Sequence, residues 1–289
     1  TKDGGYIVGG YFYSDSITIG DYTLTNAGSS DGMVIKCNSN GEVEWATNIG
    51  GTENDYINSV AETKDGGYIV GGYFYSDSIT IGDYTLTNAG SSDGMVIKCN
   101  SNGEVEWATN IGGTENDYIN SVAETKDGGY IVGGYFYSDS ITVGNYTLTN
   151  TSYNEQYICT DGMVIKYSSN GEVEWARSIG GGDDDYINSV TEISDGGYIV
   201  GGYFVSSSIS IGDYTLINAN REYHADGIVI KYSSNGEVKW ATSIGENGND
   251  YIESVTETKD GGYIVGGYFE SPSITVGNYT LINVNAGHY

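Results

Sequence analysis

The stretch TKDGGYIVGGYF, residues 1–12, decides the fold, because it recurs along the whole chain. It returns, in one case with two changes, at four further places: residues 63–74, 125–136, 193–204 and 258–269. The first 62 residues are repeated without a change as residues 63–124. Self-similarity at a fixed period is typical of repeat architectures, in which each unit buries its apolar faces against its neighbours. We therefore predict one repeat domain over residues 1–289.

The Asp of the D-G-G-Y phrase fixes the spacing of the units. It lies at positions 3, 65, 127, 195 and 260, so successive spacings are 62, 62, 68 and 65 residues. The predicted units are residues 1–62, 63–124, 125–192, 193–257 and an incomplete unit at residues 258–289. Because the chain begins within a unit and has no initiator Met, we expect it to be a fragment of a longer protein.

Each unit contains four runs that are typical of β-strands. In one period they are DYINSVAE (residues 55–62), GYIVGGYF (67–74), DGMVIKC (93–99) and EVEWATNI (104–111). Turn residues flank each run, as strands require, and an Asn-Gly turn precedes the fourth run. No segment shows a sustained 3.6-residue period of apolar residues, so we expect an all-β fold with almost no helix.

An additional segment separates the second run from the third. Its core in the first unit is ITIGDYTL, residues 17–24, in which Gly-Asp joins two β-branched or aromatic arms and predicts a two-residue hairpin. Removing the 17 residues 14–30 from a unit of 62 leaves 45, which matches the ~40–45 residues of a four-stranded propeller blade. We predict a β-propeller, or an arc of one, of about five four-stranded blades, each with an extra β-hairpin between the second and third strands.

Several recurring residues are predicted to pack one blade against the next. A tryptophan occurs once per unit on the fourth strand: Trp45, Trp107, Trp175 and Trp240. We interpret these tryptophans as inter-blade packing residues, because large aromatic side chains dominate packing energies. The glycines and tyrosines of the opening stretch are assigned the same role, with the glycines allowing close approach near the axis.

The cysteines do not form a disulfide framework. Cys37 and Cys99 occupy a position that is Tyr167 and Tyr232 in later units, which predicts a semi-buried filler position. Cys159 lies in a loop with no obvious mate, and an odd number of cysteines leaves at least one unpaired.

The recurring phrases resemble two bacterial repeat families. The pattern D-G-G-Y-I-V-G-G-Y, then D-G-x-V-I-K-x-x-x-x-G-E-V-E-W, then I-G-G-x-x-x-D-Y-I-x-S-V is similar to the SBBP, or seven-bladed propeller, repeat and to the delta-60 repeat. The resemblance covers nearly the whole chain. It implies a secreted or cell-surface, extracellular bacterial protein and implies no enzymatic activity.

The charge of the chain excludes two classes of partner. The formal net charge is −28, from 39 acidic and 11 basic residues. Such a surface repels nucleic acid and anionic lipid. No apolar stretch approaches the ~20 residues that a membrane-spanning helix needs. We predict neither nucleic-acid binding nor membrane insertion.

The units differ in length at one place, the loop between the hairpin and the third strand. This loop is AGSS in the first two units, TSYNEQYICT at residues 151–160, ANREYHA at residues 219–225, and it diverges again at residues 284–289. Antiparallel strand order places these loops and the acidic fourth-to-first connections on one face, a pattern typical of a binding face. Candidate ligand-binding residues there, suited to a glycan or a protein ligand, are Tyr153, Tyr157, Arg221, Tyr223, His224 and His288. The alternative is that the loop sequences vary under relaxed constraint in a structural repeat and have no binding function.

The acidic connections make calcium the one candidate cofactor. Calcium is possible at the Asp that begins each first strand: Asp55, Asp117, Asp185 and Asp250. No EF-hand pattern occurs, and the alternative interpretation is that these acids are solvated turn formers. Asp184 with Asp185, or Glu53 with Asp55, would be the carboxylate pair if the chain were a glycosidase.

No HExxH, GxSxG, Walker or CxxC motif is present in the sequence. We therefore predict a non-catalytic scaffold or adhesive module that binds through the variable loops. One alternative is a structural repeat that assembles into a fibre or coat with neighbouring repeats or copies of itself. The other is a propeller glycan hydrolase or lyase.

Overall fold

The computed structural model describes residues 1–151, 158–219 and 224–284. Every regular element in that part of the chain is a β-strand. The first unit has β1 (Tyr6–Phe12), β2 (Ser16–Ile19), β3 (Tyr22–Thr25), β4 (Asp31–Cys37) and β5 (Val43–Ile49). The second has β6 (Asp55–Glu62), β7 (Tyr68–Phe74), β8 (Ser78–Ile81), β9 (Tyr84–Thr87), β10 (Asp93–Cys99) and β11 (Val105–Ile111).

The later units repeat this order. The third has β12 (Asp117–Glu124), β13 (Tyr130–Phe136), β14 (Ser140–Val143), β15 (Tyr146–Thr149), β16 (Asp161–Tyr167) and β17 (Val173–Ile179). The fourth has β18 (Asp185–Glu192), β19 (Tyr198–Phe204), β20 (Ser208–Ile211), β21 (Tyr214–Ile217), β22 (Asp226–Tyr232) and β23 (Val238–Ile244). The fifth has β24 (Asp250–Glu257), β25 (Tyr263–Phe269), β26 (Ser273–Val276) and β27 (Tyr279–Ile282). No helix in the described ranges is long and apolar enough to span a bilayer.

The strands form repeated antiparallel sheets, as predicted. Three sheets have four strands, in the spatial orders β6-β7-β10-β11, β12-β13-β16-β17 and β18-β19-β22-β23. We call the four positions A, B, C and D in chain order. The first sheet contains B, C and D (β1, β4, β5), and the fifth contains A and B (β24, β25). Each hairpin between B and C forms a separate two-stranded sheet, for example β8 with β9.

Neighbouring sheets contact each other chiefly along their A strands. A register shift in each A strand leaves one residue out of step with strand B; it is an Asn in the second to fourth units, as at Asn58 between Ile57 and Ser59, and Glu253 in the fifth. The Asn58 side chain donates instead to the carbonyl of Ile119 in the next A strand, at 2.9 Å. The same bond recurs between the later sheets. The A strands therefore line the inner side of the array, and the D strands lie at its outer rim, in a β-propeller-like arrangement.

In the first four units the first of the two glycines of strand B packs against the next sheet, as predicted. A Cβ on Gly71 would lie 2.5 Å from Cγ1 of Val122 in the following A strand. Glycine is required at position 72 for a different reason: an added Cβ would lie 1.9 Å from the carbonyl oxygen of Tyr56 in the same sheet.

The tryptophans also pack between sheets, which confirms the prediction made for them. The ring of Trp45, on β5, lies 5.5 Å from that of Tyr68 in the second sheet. Its Nε1 donates to the carbonyl of Ser101 at 3.1 Å, also in the second unit. Cys99 is buried in the same apolar cluster and Cys37 is half-buried, in agreement with the predicted filler role.

In the second, third and fourth units the hairpin fills the outer gap between its own sheet and the preceding one. In the second unit the hairpin packs against β11 of its own sheet and contacts β5 of the preceding one. Ile79, Ile81 and Leu86 are its buried residues. The tip requires glycine, because Gly82 has φ 58°. Sheets that radiate from an inner edge diverge outward, so the hairpin covers apolar surface that the four strands leave open.

Burial of a strand depends on its neighbours rather than on its own residues. The sequence YIVGGYF forms strand B in all five units. In the third sheet Ile131 is 0% exposed, whereas the equivalent Ile264 of the fifth sheet is 59% exposed. The first sheet shows the same trend, with Tyr6 at 59%. Stacking therefore supplies the core, as expected for a repeat array.

Candidate functional site on the variable-loop face

The variable loops lie at one end of the sheets, as the antiparallel strand order predicts. We define the variable-loop face as the end where B strands finish and A and C strands begin. In the second sheet Phe74, the last residue of B, pairs with both Asp55 and Asp93, the first residues of A and C. The backbone N–H of Asp55 donates to the carbonyl of Ser30 in the preceding unit at 2.8 Å. Neighbouring sheets are therefore joined at this face.

In the first four units an asparagine after the hairpin closes the variable loop from one side. In the third unit the Asn150 side chain donates to the carbonyl of Phe136, at the end of strand B, at 3.3 Å. It also donates to the carbonyl of Cys159, at the far end of the loop, at 2.8 Å. Asn218 closes the fourth-unit loop through the carbonyl of His224 at 2.7 Å. The equivalent asparagine closes the short loop of the second unit in the same way.

The first Asp of strand C closes the same loop from the other side. Oδ2 of Asp161 accepts from the N–H and the hydroxyl of Thr151, each at 2.9 Å. Oδ2 of Asp226 accepts from the N–H of Ala219 at 2.8 Å. We call this pair of closing residues the Asn–Asp clamp. It holds loops of different length on the same base.

Burial perturbs the aspartates of the clamp. Desolvation raises the pKa of Asp161 and of Asp226 to about 6. In each of them Oδ1 has no hydrogen-bond partner among the described residues. A Cβ on Gly180 would lie 2.1 Å from Oδ1 of Asp161, so the carboxylate occupies the space of a side chain. This explains the first glycine of the recurring Ile-Gly-Gly phrase.

The four aspartates considered for calcium, Asp55, Asp117, Asp185 and Asp250, are 0–2% exposed. Their interpretation as solvated turn formers is wrong. Oδ2 of Asp117 accepts from the N–H of Gly113 and from the hydroxyl of Ser138, each at 2.8 Å. Desolvation raises the pKa of Asp117 to about 6. These residues tie the D-to-A connection to the start of the hairpin.

The described residues add no further ligand for calcium at these aspartates and no exposed partner for the carboxylate pairs of a glycosidase. No group of three or more His, Cys, Asp or Glu side chains in the described ranges could hold a metal ion. Calcium at these aspartates stays a prediction. In each suggested catalytic pair one member, Asp55 or Asp185, is buried. Asp184 accepts a hydrogen bond from the backbone N–H of Thr160 at 3.0 Å.

A continuous array of tyrosine rings runs along this face beside the A strands. Neighbouring ring centroids are 4.5–4.9 Å apart. We call it the tyrosine array; it consists of Tyr11, Tyr56, Tyr73, Tyr118, Tyr135, Tyr186, Tyr203, Tyr251 and Tyr268. Ring planes within one sheet are inclined by 25–31°. Rings of adjacent sheets meet edge to face at 68–79°, a favourable geometry for aromatic pairs.

The tyrosine array is half-buried in the inner sheets and so presents ring surface to solvent. A groove of about 350 Å³ opens there between the third and fourth sheets. It is lined by Tyr135, Tyr186, Tyr203, Asn120, Asn188 and Glu253. Tyrosine and asparagine are residue types that supply rigid contact area and adaptable hydrogen bonds in binding surfaces. The groove therefore combines aromatic rings with amide side chains on the third, fourth and fifth sheets.

Only one predicted ligand-binding residue lies in the described part of the chain. Tyr153, Tyr157, Arg221, Tyr223 and His288 lie outside the described residues. His224 is half-buried, and its main role in the structure is to offer its carbonyl to the clamp. Its Nδ1 has no hydrogen-bond partner among the described residues.

The tyrosine array is absent from the sequence-based assignment, which gave all tyrosines of the opening stretch to packing. That assignment is confirmed for both tyrosines of strand B, because Tyr68 meets Trp45 and Tyr73 meets Tyr118 across a sheet boundary. It does not include the continuous, half-buried array that Tyr73 and its equivalents form. The available signal is the recurrence of Tyr as the second residue of A and the sixth of B. Only the register that pairs Tyr56 with Tyr73 places the two positions side by side.

Comparison with known proteins gives a distant likeness. No family model matches the chain. An uncharacterised WD repeat-containing protein of Acanthamoeba polyphaga mimivirus is 25% identical over 315 aligned residues, which cover 90% of this chain. The chain spans 22% of that relative's length. A solved structure of a protein of unknown function from Bacteroides caccae has a TM-score of 0.45 and 13% identity, covering 88% of this chain and 66% of its own. The chain is thus similar to a WD repeat-containing protein, in keeping with its β-propeller-like sheets.

Proposed function

We propose that this chain is a non-catalytic β-propeller scaffold, with about five blades that each carry a hairpin, and that it binds a glycan or protein ligand through the variable-loop face. The observation that carries the proposal is the Asn–Asp clamp. The clamp keeps the loop ends fixed while residues 151–158 and 220–223 differ from unit to unit. A fixed frame with variable loops is a common basis for recognition.

The tyrosine array supports the same face as the binding surface. It lies beside the loops, and the groove lined by Tyr135, Tyr186 and Tyr203 combines aromatic rings with amide side chains. The opposite end of the sheets carries short turns of constant length. Propellers similar to the WD-repeat type commonly serve as interaction scaffolds, which agrees with a binding role.

The location is part of the proposal. The resemblance to SBBP and delta-60 repeats favours a secreted or cell-surface bacterial protein. The net charge of −28 favours solubility and disfavours nucleic acid as the partner. The buried state of Asp55 and Asp185 argues against the glycosidase alternative, because a buried carboxylate does not reach a substrate.

A loop-replacement experiment tests the proposal. Residues 151–160 and 219–225 are each replaced by AGSS, the loop of the first two units, and the variant is screened against glycan and protein arrays beside the parent. We expect loss of the ligands that the parent binds, with unchanged thermal unfolding because the clamp is retained. The matched control is Asn102→Ala in an exposed C–D turn at the opposite end. Full binding by the loop-replaced variant would refute the loop assignment.

A further inference from the structure

The fifth sheet presents an open strand edge beside an apolar cavity. β25 pairs with β24 on one side and, among the described strands, with none on the other. Most of its residues are exposed, including Ile264, Val265 and Tyr268. A cavity of about 420 Å³ lies next to it. A strand edge with free backbone N–H and C=O groups and apolar side chains is a template for the addition of another strand.

The fourth sheet shows which side chains the cavity lacks. Five residues of β19 and of the fourth hairpin belong to one buried cluster: Val200, Phe204, Ile209, Ile211 and Leu216. Their equivalents in the fifth unit all line the cavity: Val265, Phe269, Ile274, Val276 and Leu281. Strand C adds three further side chains to the cluster of the fourth sheet: Ile228, Ile230 and Tyr232. The same three positions of strand C are buried in the second and third sheets. The cavity is therefore the space that alternate side chains of a C strand fill elsewhere in the chain.

Gly262, immediately before β25, leaves room for the last carbonyl of such a strand. In each of the first four units a Cβ on the equivalent glycine would lie 2.1–2.3 Å from the carbonyl oxygen that ends strand C, as at Gly197, which faces Tyr232. A Cβ on Gly262 would meet only the side chains of Thr258 and Asp260, at 3.0 and 3.5 Å. The backbone at this position is thus shaped for a strand that the fifth sheet does not contain among its described residues.

The charged groups at this edge also match a C strand. In the first four units the lysine of strand C forms an ion pair with the Asp of the D-G-G-Y phrase, as Lys231 does with Asp195 at 2.6 Å. Asp260 is the fifth Asp of this phrase, and it forms no ion pair with any described residue. The edge therefore favours an added strand that carries a cation opposite this turn.

The described C strands of this chain are not available to fill the edge. Each of them, β4, β10, β16 and β22, already lies between a B strand and a D strand. A second copy of the chain could offer such a strand only by opening one of its own sheets. The partner that fits is a polypeptide of the same repeat type whose C and D strands are not bound to a B strand of their own.

We infer that β25 accepts an antiparallel strand of the sequence D-G-[MI]-V-I-K-[CY], presented together with its D strand by a separate polypeptide that carries this repeat. In the register of the fourth sheet, the Asp of the added strand lies opposite Phe269 and its Lys opposite Ile264. Its third, fifth and seventh side chains fill the cavity. This strand-acceptor edge runs along β25 and does not use the variable loops of the third and fourth units, so it goes beyond the function proposed above.

Binding of a synthetic peptide tests the inference. The probe is residues 226–244, DGIVIKYSSNGEVKWATSI, labelled with a fluorophore at the C-terminus and titrated with the full chain while fluorescence anisotropy is measured. We expect saturable binding, together with slower amide exchange of β25 in the complex, because strand addition supplies backbone hydrogen bonds.

Two adjacent substitutions in the peptide test which side of the added strand enters the cavity. Ile230→Asp would place a charge among apolar side chains and should weaken binding at least about tenfold. Val229→Asp is the matched control. Val229 points to the other side, where in the fourth sheet it packs with Ile252 and Val255 of the next sheet. No described sheet covers that side of β25, so this change should alter affinity by less than about threefold.

Two glycine substitutions in the chain locate the contact. Gly262→Ala fills the space of the incoming carbonyl and should weaken peptide binding at least about tenfold. Gly266→Ala is the control, because its Cβ would have only the carbonyl oxygen of Ser254 nearby, at 4.0 Å. It should leave peptide binding unchanged. Both variants should unfold at the same temperature as the parent, since neither added methyl group meets a buried atom of the free chain.

A charge exchange tests the register. Lys231→Glu in the peptide should weaken binding to the parent chain, and Asp260→Lys in the chain should restore binding of that peptide. Absence of saturable binding by the parent peptide would overturn the inference. Equal losses with Ile230→Asp and Val229→Asp would also overturn it, because they would indicate non-specific apolar contact. Dimers of the chain alone that Gly262→Ala abolishes would identify a second copy as the partner and would refute the assignment to a separate polypeptide.

Discussion

Gly133 in β13 shows how closely the sheets approach each other at single residues. A Cβ at this position would lie 2.5 Å from Cγ1 of Val190 and 2.9 Å from Cγ2 of Ile187, both in the next sheet. Both neighbours are themselves buried, so neither can move away freely. A methyl group there must displace the adjoining sheet.

Gly133→Ala is therefore expected to lower the free energy of unfolding by about 1–3 kcal/mol, the usual cost of overpacking a core. Urea denaturation followed by tryptophan fluorescence measures the change. Gly182→Ala is the control, because a Cβ on this exposed residue would have no atom within 4 Å. The control should change stability by less than about 0.5 kcal/mol. Equal stability of the two variants would contradict the packing role assigned to Gly133.

Residues whose role depends on side-chain size are predictable from the sequence, whereas residues whose role depends on strand register or burial are not. The glycine and tryptophan positions are predictable, because a glycine allows close approach of two sheets and a large ring fills the space between them. Asp117 resembles any acidic turn residue in the sequence. Its burial follows from the bonds to Gly113 and Ser138, which come from two different connections. Such a contact has no local signature.

At the scale of elements, two strands of identical sequence in different sheets show how much the stacking of sheets contributes to the stability of a strand. β19 and β25 both read YIVGGYF. Among the described strands β19 pairs with β18 and β22, whereas β25 pairs only with β24. β19 is buried along nearly its whole length, and β25 is mostly exposed. Intrinsic amide exchange rates are nearly the same because the sequences are the same. Any difference in protection therefore reports on the fold.

We expect the amides of β25 to exchange at least about 100-fold faster than those of β19, because local opening is easiest where few contacts hold a strand. Hydrogen–deuterium exchange with mass spectrometry measures the two strands separately, since the peptides that extend to Val205 and to Glu270 differ in mass. The unfolded chain in denaturant is the reference for the intrinsic rates. Equal protection of the two strands would show that the fifth sheet is held by contacts other than those described.

The number and order of elements are predictable from the sequence, but their contacts are only partly so. Alternation and turn residues indicate the four strands, and the Gly-Asp or Gly-Asn pair indicates the hairpin. The outer location of the hairpin does not follow from either pattern. It depends on the divergence of neighbouring sheets, which leaves a gap that Ile79 and Ile81 fill. Beside the hairpin tips the gap stays open as clefts of about 360–460 Å³ between neighbouring sheets.

For the whole molecule, buried carboxylates determine how stability depends on pH. Burial raises the pKa of Asp117, Asp161 and Asp226 to about 6, above the ~3.9 of an unfolded chain. Between these values the folded state binds more protons than the unfolded state. The free energy of unfolding therefore rises as pH falls from about 7 to about 5, and the stabilisation is lost again as pH rises through about 6. Falling net negative charge acts in the same direction.

Below about pH 4 the trend reverses. The hydrogen bond from Lys36 lowers the pKa of Asp3, and that from Lys231 lowers the pKa of Asp195. The stability that these two aspartates contribute is fully present above their pKa in the unfolded chain. It is lost as the pH falls through their lower pKa in the folded chain. We expect a stability maximum between about pH 4 and pH 5 in thermal unfolding followed by circular dichroism.

Asp161→Asn separates the buried carboxylate from the general charge effect. The asparagine oxygen can accept from Thr151 as Oδ2 of the aspartate does, while its amide replaces Oδ1, which has no partner among the described residues. The variant should be more stable than the parent at pH 8 and should gain less stability on acidification to pH 5. A parent protein that loses stability steadily from pH 8 to pH 5 would contradict the assignment of raised pKa values.

The Asn–Asp clamp has a consequence for how such a chain can diversify. Asn218 and Asp226 both lie outside the segment that they close, so the segment itself carries little of the information needed for folding. Duplication of the unit copies a stable frame together with a stretch that tolerates insertion. Short in-frame additions after the hairpin should cost little stability, because the growth of loop entropy with length is slow. The frame could thus host an unrelated peptide at this position, and new recognition could arise by exchanging a few residues rather than by refolding the protein.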